Sequence, residues 1–573
     1  MIGGFLFCAA PEGSLVMKKI CLWGLVVLLC SLAGATLAHE NHPKEQASSP
    51  ANIYGDKLGT VILPFSCNET ASKKAERGLA LLHHMTYVGA RAVFNEVVET
   101  DPDCAIGYWG QSMSYIHPLW SDPPDEAEFA RGKELASKAA KRASNELERA
   151  YTATLESYYA HGRNISEKHN LSAYADAWRK VYEQFPKDIE AASFYALANL
   201  ATVDPSDKSY SKQKQSAKIT KQILESVPDH PGAHHYTIHA LDYPTLAIEA
   251  LDVARNYGKI APAVPHALHM PAHIFTRLGL WKESIDMNRR SANAALKHPA
   301  DGKISLHYLH ALDYLVYAYL QRGEDAKAEE ILNELMAVQG PYQTHVAAAY
   351  SFAAVPARMA LERQQWATAA TLEAQIPSNY PWQVNPAMEA ITYFSNGLGA
   401  ARSGDTMKAR EAIEHLKRLQ KQVVKSSDYW AKQVKIQRLS VEAWLNYAEG
   451  EKNVALKTMR EATALEATTE KHPVTPGEVL PAHELLADML FELNRYQEAQ
   501  HYYEATLERS PNRFNSLYGA GQTAELAGDK KTAARHYGML NEVAATDSTL
   551  KRLEKARAFC EGSNTLHQIC STH

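Results

Sequence analysis

Histidines concentrate in the middle of this sequence: ten of its 25 fall between His230 and His310. The stretch 265-PHALHMPAHIFTRLGLWKESI-285 carries His266, His269 and His273 at i, i+3 and i+7, which is one face of a helix. Upstream, 234-HHYTIHALDY-243 carries His235 and His239 at i, i+4, with Asp242 beyond them. Downstream, 307-HYLHALDYLVY-317 carries His310 and Asp313. Imidazoles on neighbouring helices, whose axes pack about 8–10 Å apart, can share one ion. His235, His239, His269 and His273 are the expected ligands, with Asp242 or Asp313 as an acceptor behind a ring or as a fourth ligand. A nitrogen-rich donor set suits zinc, copper, iron or nickel rather than calcium or magnesium. An ion with an open position would activate water, the chemistry of a hydrolase- or oxidase-type metalloenzyme. Without metal the rings could still move protons near neutral pH.

Two other uses of the same residues stand beside this one. A groove lined with His, Asp and Tyr can bind an acidic or extended peptide, with His as polar lining only. The same histidines can also be solvated surface. No HExxH, GxSxG or Walker-type loop occurs, and no Ser, Cys or Lys nucleophile stands out. No catalytic residue is assigned, and whether the chain is an enzyme is left open. The composition is globular, 46% hydrophobic and 22% charged, and a net charge of -5 gives no footprint for nucleic acid.

The elements that must position these residues are helical repeats. Ala499 and Ala533 are 34 residues apart, as are Tyr503 and Tyr537. The same frame of small residue, aromatic, Gly turn and second helix runs through Gly78, Ala90 and Phe94; Leu268, Ala272, Phe275 and Gly279; Leu312, Val316, Gly323 and Ala328; and Gly397, Gly404 and Ala409. This resembles the tetratricopeptide (TPR) repeat. The resemblance implies an all-α solenoid, a right-handed superhelix of antiparallel helix pairs, over most of residues 71–555. It also implies that the first helix of each pair lines a concave groove. On that frame His266, His269 and His273, then His235, His239 and Asp242, then His310 and Asp313 take groove-facing positions in consecutive repeats, and His83 and His117 do so nearer the N-terminus. The histidine stripe precedes the packing stripe Leu268–Ala272–Phe275 by two residues, about 200° of rotation, so these histidines are expected to face away from the core. Pro271 complicates this, because it must kink the helix or begin it. In the second case His266 and His269 would sit on a loop.

Residues 17-MKKICLWGLVVLLCSLAGATLAHE-40 read as a secretory signal, with Lys18 and Lys19 before an apolar run too short to span a bilayer. The expectation is an exported protein, periplasmic or secreted, whose mature chain begins near His39 and contains no membrane span. The seven cysteines include Cys8, Cys21 and Cys30 in or before that segment. The other four predict disulfides Cys67–Cys104 and Cys560–Cys570 in an oxidising compartment. The domains expected are 1–16, an upstream start extension; 17–38, the signal; 39–70, a linker and N-terminal segment, extended around 61-VILPF-65; 71–230, N-terminal repeats; 231–345, the His-rich repeats; 346–555, C-terminal repeats; and 556–573, a tail. The strings 110-GQSMSYIHPLW-120, 234-HHYTIHALDYPTLA-247 and 265-PHALHMPAHIFTRLGLWKESI-285 are also similar to those of an uncharacterised family of exported bacterial TPR proteins. That resemblance implies fold and export, and no activity. The function expected is an exported TPR-type binding protein whose His-lined groove takes a peptide, a protein or a small ligand. The alternative is a transition-metal protein with the ion held by His from adjacent repeats.

Overall fold

Small residues decide how closely paired helices approach, and the repeats show it. Gly78 of the helix Glu69–His83 faces the Phe94 ring of the helix Tyr87–Thr100, where a Cβ would meet ring carbons at 2.9 Å. Tyr503 packs over Gly519 and Tyr537 over Gly521 in the same way, and Ala499 and Ala533 are fully buried. Gly279, Gly323, Gly404 and Gly528 turn the chain between partner helices at φ of 67°, 68°, 84° and 85°, where a side chain would be strained. The computed structural model describes residues 54–572, apart from 64, 121, 164–165 and 299–301. Among the described residues the chain is all-α. It is a TPR-like solenoid of helix hairpins, with one isolated parallel bridge between Ile304 and Tyr342. No helix there is long and apolar enough to cross a membrane. The signal segment 17–38, the residues before it and residues 39–53 of the lead-in lie outside the described residues.

One apolar core collects residues from Leu58 to Ala294 and a second collects residues from Ala292 to Ala520. The helices Pro231–Leu241, Pro265–His269 and Pro271–Arg277 contribute to the first core and Leu306–Gln321 to the second. The later repeats fold back onto this middle region. Trp281 Nε1 donates to Asn512 O (3.0 Å), Ala545 N to Arg322 O (2.8 Å), and Phe514 N to Gln321 Oε1 (2.9 Å). Arg513, fully buried, pairs with Glu362 and Glu484 at 2.7 Å each.

A strap of residues 468–481 joins the helices Lys452–Ala467 and Ala482–Glu492 and crosses over the middle repeats. Tyr314 Oη donates to Pro473 O and Thr475 O at 3.2 Å each. The buried Arg358 donates to Glu478 O (2.9 Å), Gly477 O (2.8 Å) and Thr475 Oγ1 (3.1 Å).

Cys67–Cys104 and Cys560–Cys570 are both bonded, with Cα atoms 5.0 and 5.9 Å apart. Cys104 caps the helix Ala105–Met113 and Cys67 precedes Glu69–His83, so neighbouring parallel helices bring the first pair together. The lead-in is tied down rather than loose: Ile62 N donates to Glu190 Oε1 (2.9 Å) and Ser66 N to Glu148 Oε1 (2.7 Å). The segment 556–573 is not a free tail. The helix Lys551–Glu561 runs across residue 556, and Asn564–Cys570 is helical and held by the second disulfide.

Candidate functional site

The helix Pro231–Leu241 starts on Pro231 with the His230 ring as cap, its Nδ1 accepting from Ala233 N (3.0 Å). It then presents His235 and His239 one turn apart, ring centroids 4.9 Å from each other. Pro271 breaks the next helix into Pro265–His269 and Pro271–Arg277, but Met270 between them keeps helical angles (φ -53°, ψ -38°). The chain therefore kinks without unwinding, and His269 and His273 still meet across one turn. Their Nε2 atoms are 3.1 Å apart. His310 comes from the helix Leu306–Gln321, its ring 4.3 Å from that of His269.

The rings fall into two groups of three. One nitrogen each of His235, His239 and His266 lie within 4.8 Å of one another, and so do those of His269, His273 and His310. The groups adjoin, with His239–His273 and His266–His269 centroids 6.2 and 6.3 Å apart. The single shared site expected of His235, His239, His269 and His273 is thus resolved into two neighbouring sets. His266 and His310, expected as lining, complete them.

Hydrogen bonds fix the protonation of three rings. His235 Nδ1 lies 2.6 Å from His83 O, His273 Nδ1 lies 3.0 Å from Asp242 Oδ2, and His269 Nδ1 lies 2.7 Å from Asn288 Oδ1. The Asn288 amide is oriented by its Nδ2 donating to Ser284 O (2.7 Å). All three partners only accept, so each Nδ1 carries the hydrogen and each Nε2 is a bare lone pair. His235 Nε2, His239 Nε2, both nitrogens of His266 and His310 Nδ1 are buried with no hydrogen-bond partner. Burial drives the rings neutral. His239 is pushed down to about 3 by burial and then by His273, and His235, His266, His269 and His310 are held well below the usual range by burial and neighbouring imidazoles. Burial alone would raise Asp242, but Lys471 and Arg277 outweigh it and hold the carboxylate ionised behind His273. Arg277 Nε lies 2.8 Å and Lys471 Nζ 3.3 Å from its oxygens.

Three expectations are corrected. The histidines do not face away from the packed interior: His266, His269 and His273 are 7%, 1% and 2% exposed, as buried as Leu268, Ala272 and Phe275. The strap and the helix Leu306–Gln321 cover the side that a generic repeat leaves open. Asp313 does not serve the histidines; it pairs with Arg358 at 3.0 Å, both fully buried. His83 and His117 do not share a surface with the central rings. The His83 ring turns to Glu190 (2.7 Å) and Tyr236 (2.9 Å), leaving only its carbonyl to His235. His117 stacks on Tyr87 and lies 3.2 Å from Asp122.

The sequence reading missed Asn288, Lys471, His307, His345, His472 and Trp120. A small inner cavity of about 60 Å³ is walled by His239, His266, His273 and His310 and by His307, His345, His472 and Trp120. It adjoins an outer cleft of about 560 Å³ rimmed by Tyr210, Tyr243, Tyr429 and Trp430, and His239, Val346, His472 and Pro473 line both. The available signal was the strap itself: a Pro- and Gly-bearing connection, 468-TTEKHPVTPGEVLP-481, long for a repeat turn and carrying Lys471 and His472.

No family model and no curated protein matches this chain. Among solved structures it is similar to yeast Tom70, with 12% identity over 88% of this chain and 98% of that one and a TM-score of 0.33. It is also similar to the P58(IPK) TPR domain, with 14% identity over 86% and 99% and a TM-score of 0.19. The assignment as a TPR-like repeat protein rests on this chain's own helix pairs.

Proposed function

We propose that this chain is a transition-metal protein whose solenoid encloses a pair of adjacent three-histidine sites, His235/His239/His266 and His269/His273/His310. The observation that carries this reading is the meeting of His269 Nε2 and His273 Nε2 at 3.1 Å, each ring having committed its Nδ1 hydrogen to an acceptor. Two lone pairs at that distance repel. A cation between or beside them removes the repulsion, and the acceptors behind the rings are those that orient metal-bound imidazole. Nitrogens about 2.1 Å from one tetrahedral ion lie about 3.4 Å apart, so sets whose nitrogens lie within 4.8 Å of one another need ring adjustments of up to roughly 1.4 Å to close on an ion. Six neutral imidazoles without carboxylate or thiolate favour zinc, copper, iron or nickel, with copper first in affinity.

The test is metal content. Stripped protein reloaded with each ion in turn and desalted should retain two ions per chain. His235→Ala/His239→Ala and His269→Ala/His273→Ala should each retain about one. Retention of no ion by the wild-type chain would refute the reading.

A second reading is a peptide or protein partner, favoured by the repeat frame and by the aromatic rim of the outer cleft. On that reading, peptide binding survives His269→Ala/His273→Ala. Export to a periplasmic or secreted location belongs to the same proposal, supported by two bonded cysteine pairs. An intact mass beginning near His39 tests it.

A further inference from the structure

A second class of histidine borders the inner cavity, and its tautomer is the reverse of the first. His345 caps the helix Val346–Leu361, where Ala347 N donates to its Nδ1 at 3.1 Å. Val474 N donates to His472 Nδ1, also at 3.1 Å. A ring nitrogen that accepts a backbone N–H carries no hydrogen, so in the neutral ring the hydrogen is on Nε2. In His235, His269 and His273 the outward Nε2 is a lone pair; in His345 and His472 it is a donor. His345 Nε2 is buried and has no partner. A buried N–H left unpaired carries a desolvation penalty, so a ligand that accepts from it is bound the more firmly.

The cavity defines the size of that ligand. About 60 Å³ is the room of roughly two water molecules. Trp120 closes one side, its ring 5.4 Å from His266, 5.7 Å from His307 and 5.8 Å from His345. His472 stands between cavity and cleft with Trp430 and Tyr429 at 5.0 and 5.5 Å. His239 and His266 of one three-histidine set and His273 and His310 of the other line the cavity together with His345 and His472, and the Nε2 lone pair of His273 and the Nε2 hydrogens of His345 and His472 belong to that lining.

We infer that the inner cavity binds a small anionic oxygen or nitrogen ligand of two or three atoms, of the class of hydroxide, peroxide or azide, placed against the ions by the three-histidine sets and held by the His345 Nε2 hydrogen, with His472 at the entrance from the cleft. This rests on the metal reading above. The two kinds of ring thus divide the work: one set donates electrons to a cation, the other donates hydrogen bonds to the anion.

Azide is the probe, titrated calorimetrically into metal-loaded full-length protein and into His345→Asn and His472→Asn. Asn keeps the capping acceptor and does not reach the cavity. The expected result is azide binding by the wild type, unchanged metal content in both variants, and azide affinity about tenfold weaker in His345→Asn, the loss of one hydrogen bond worth about 1.4 kcal/mol. A loaded wild type that binds no azide, or a His345→Asn that binds it equally well, overturns the inference. Loss of metal from His345→Asn also overturns it, because His345 would then be a ligand rather than a donor. Failure of the wild type to retain any ion is a separate result and refutes the metal reading instead.

Discussion

Arg358→Met should free the strap 468–481 without altering a single histidine. Arg358 is fully buried and supplies three of the strap's anchors, the bonds to Thr475, Gly477 and Glu478, while its Nε holds Asp313 Oδ1 at 3.0 Å. Methionine preserves an unbranched apolar stem and removes every donor. Asp313 is then left alone in the interior: its other oxygen already lacks a partner, and burial holds its carboxyl above the usual range even with Arg358 beside it. Removing one member of a buried pair costs about 3–5 kcal/mol. At about 1.4 kcal/mol per decade, strap amides that open locally should exchange hydrogen roughly 100- to several thousand-fold faster. The assay is native-state exchange, read by mass on peptides from 468–481, for wild type, Arg358→Met, Asp313→Asn and the double variant. Asp313→Asn alone should change exchange less than about tenfold, since the amide oxygen still accepts from Arg358. The double variant should fall short of the sum by about 1–3 kcal/mol, because the stranded carboxylate is gone. Additive effects would refute the pairing argument. So would loss of bound metal from Asp313→Asn on the scale of His235→Ala/His239→Ala, which would return Asp313 to the histidine site.

Further outcomes follow from burial and linkage. His269→Ala/His273→Ala should destabilise the metal-free protein by about 2–5 kcal/mol, because two buried rings leave a void and Asn288 Oδ1 loses its donor; an unchanged melting temperature would put these rings on a solvated face. Reducing Cys67–Cys104, which closes 37 residues of sequence, should cost the N-terminal repeats about 4 kcal/mol, measured by melting Cys67→Ser/Cys104→Ser. Asp488 is raised from 3.8 to about 6 by burial and by Glu484. The unfolded chain therefore releases this proton first, and stability falls as pH rises from about 4 to 6. Asp488→Asn, whose amide oxygen still accepts from Tyr503, should gain up to about 3 kcal/mol at pH 7 and almost nothing at pH 4. Equal shifts at both pH values would contradict that assignment.

The repeat frame was legible because it depends on local rules. Alanines and glycines under aromatic rings at a period of 34 say which helices pair, whatever lies outside them. His235/His239 and His269/His273 were legible for the same reason, since one-turn spacing survives even the Pro271 kink. Their burial was not. Facing 200° from Leu268 and Phe275 means exposure only if nothing covers that side, and the cover is a strap some 200 residues further on with no periodicity of its own. Asp313 looked like an acceptor or fourth ligand for the clustered rings because it shares a groove-facing stripe with His310. Arg358, whose reach no spacing rule records, had the stronger claim on a buried carboxylate. His345 and His472 stood outside every helical stripe, one as a cap and one in the strap.

Asp242 waits 229 positions for Lys471. At synthesis rates of about 5–20 residues per second, that interval is roughly 10–45 s of chain growth. For that time a nascent chain carries its histidine-bearing helices without their roof, and the repeats that later fold back are not yet made. A repeat protein of ordinary kind adds each unit to the last and can tolerate losing its end. This one closes on itself, so removing the strap or the repeats after it unroofs the middle. The order of events is therefore set by topology: the buried carboxylate behind His273 waits for a cation made 229 residues later.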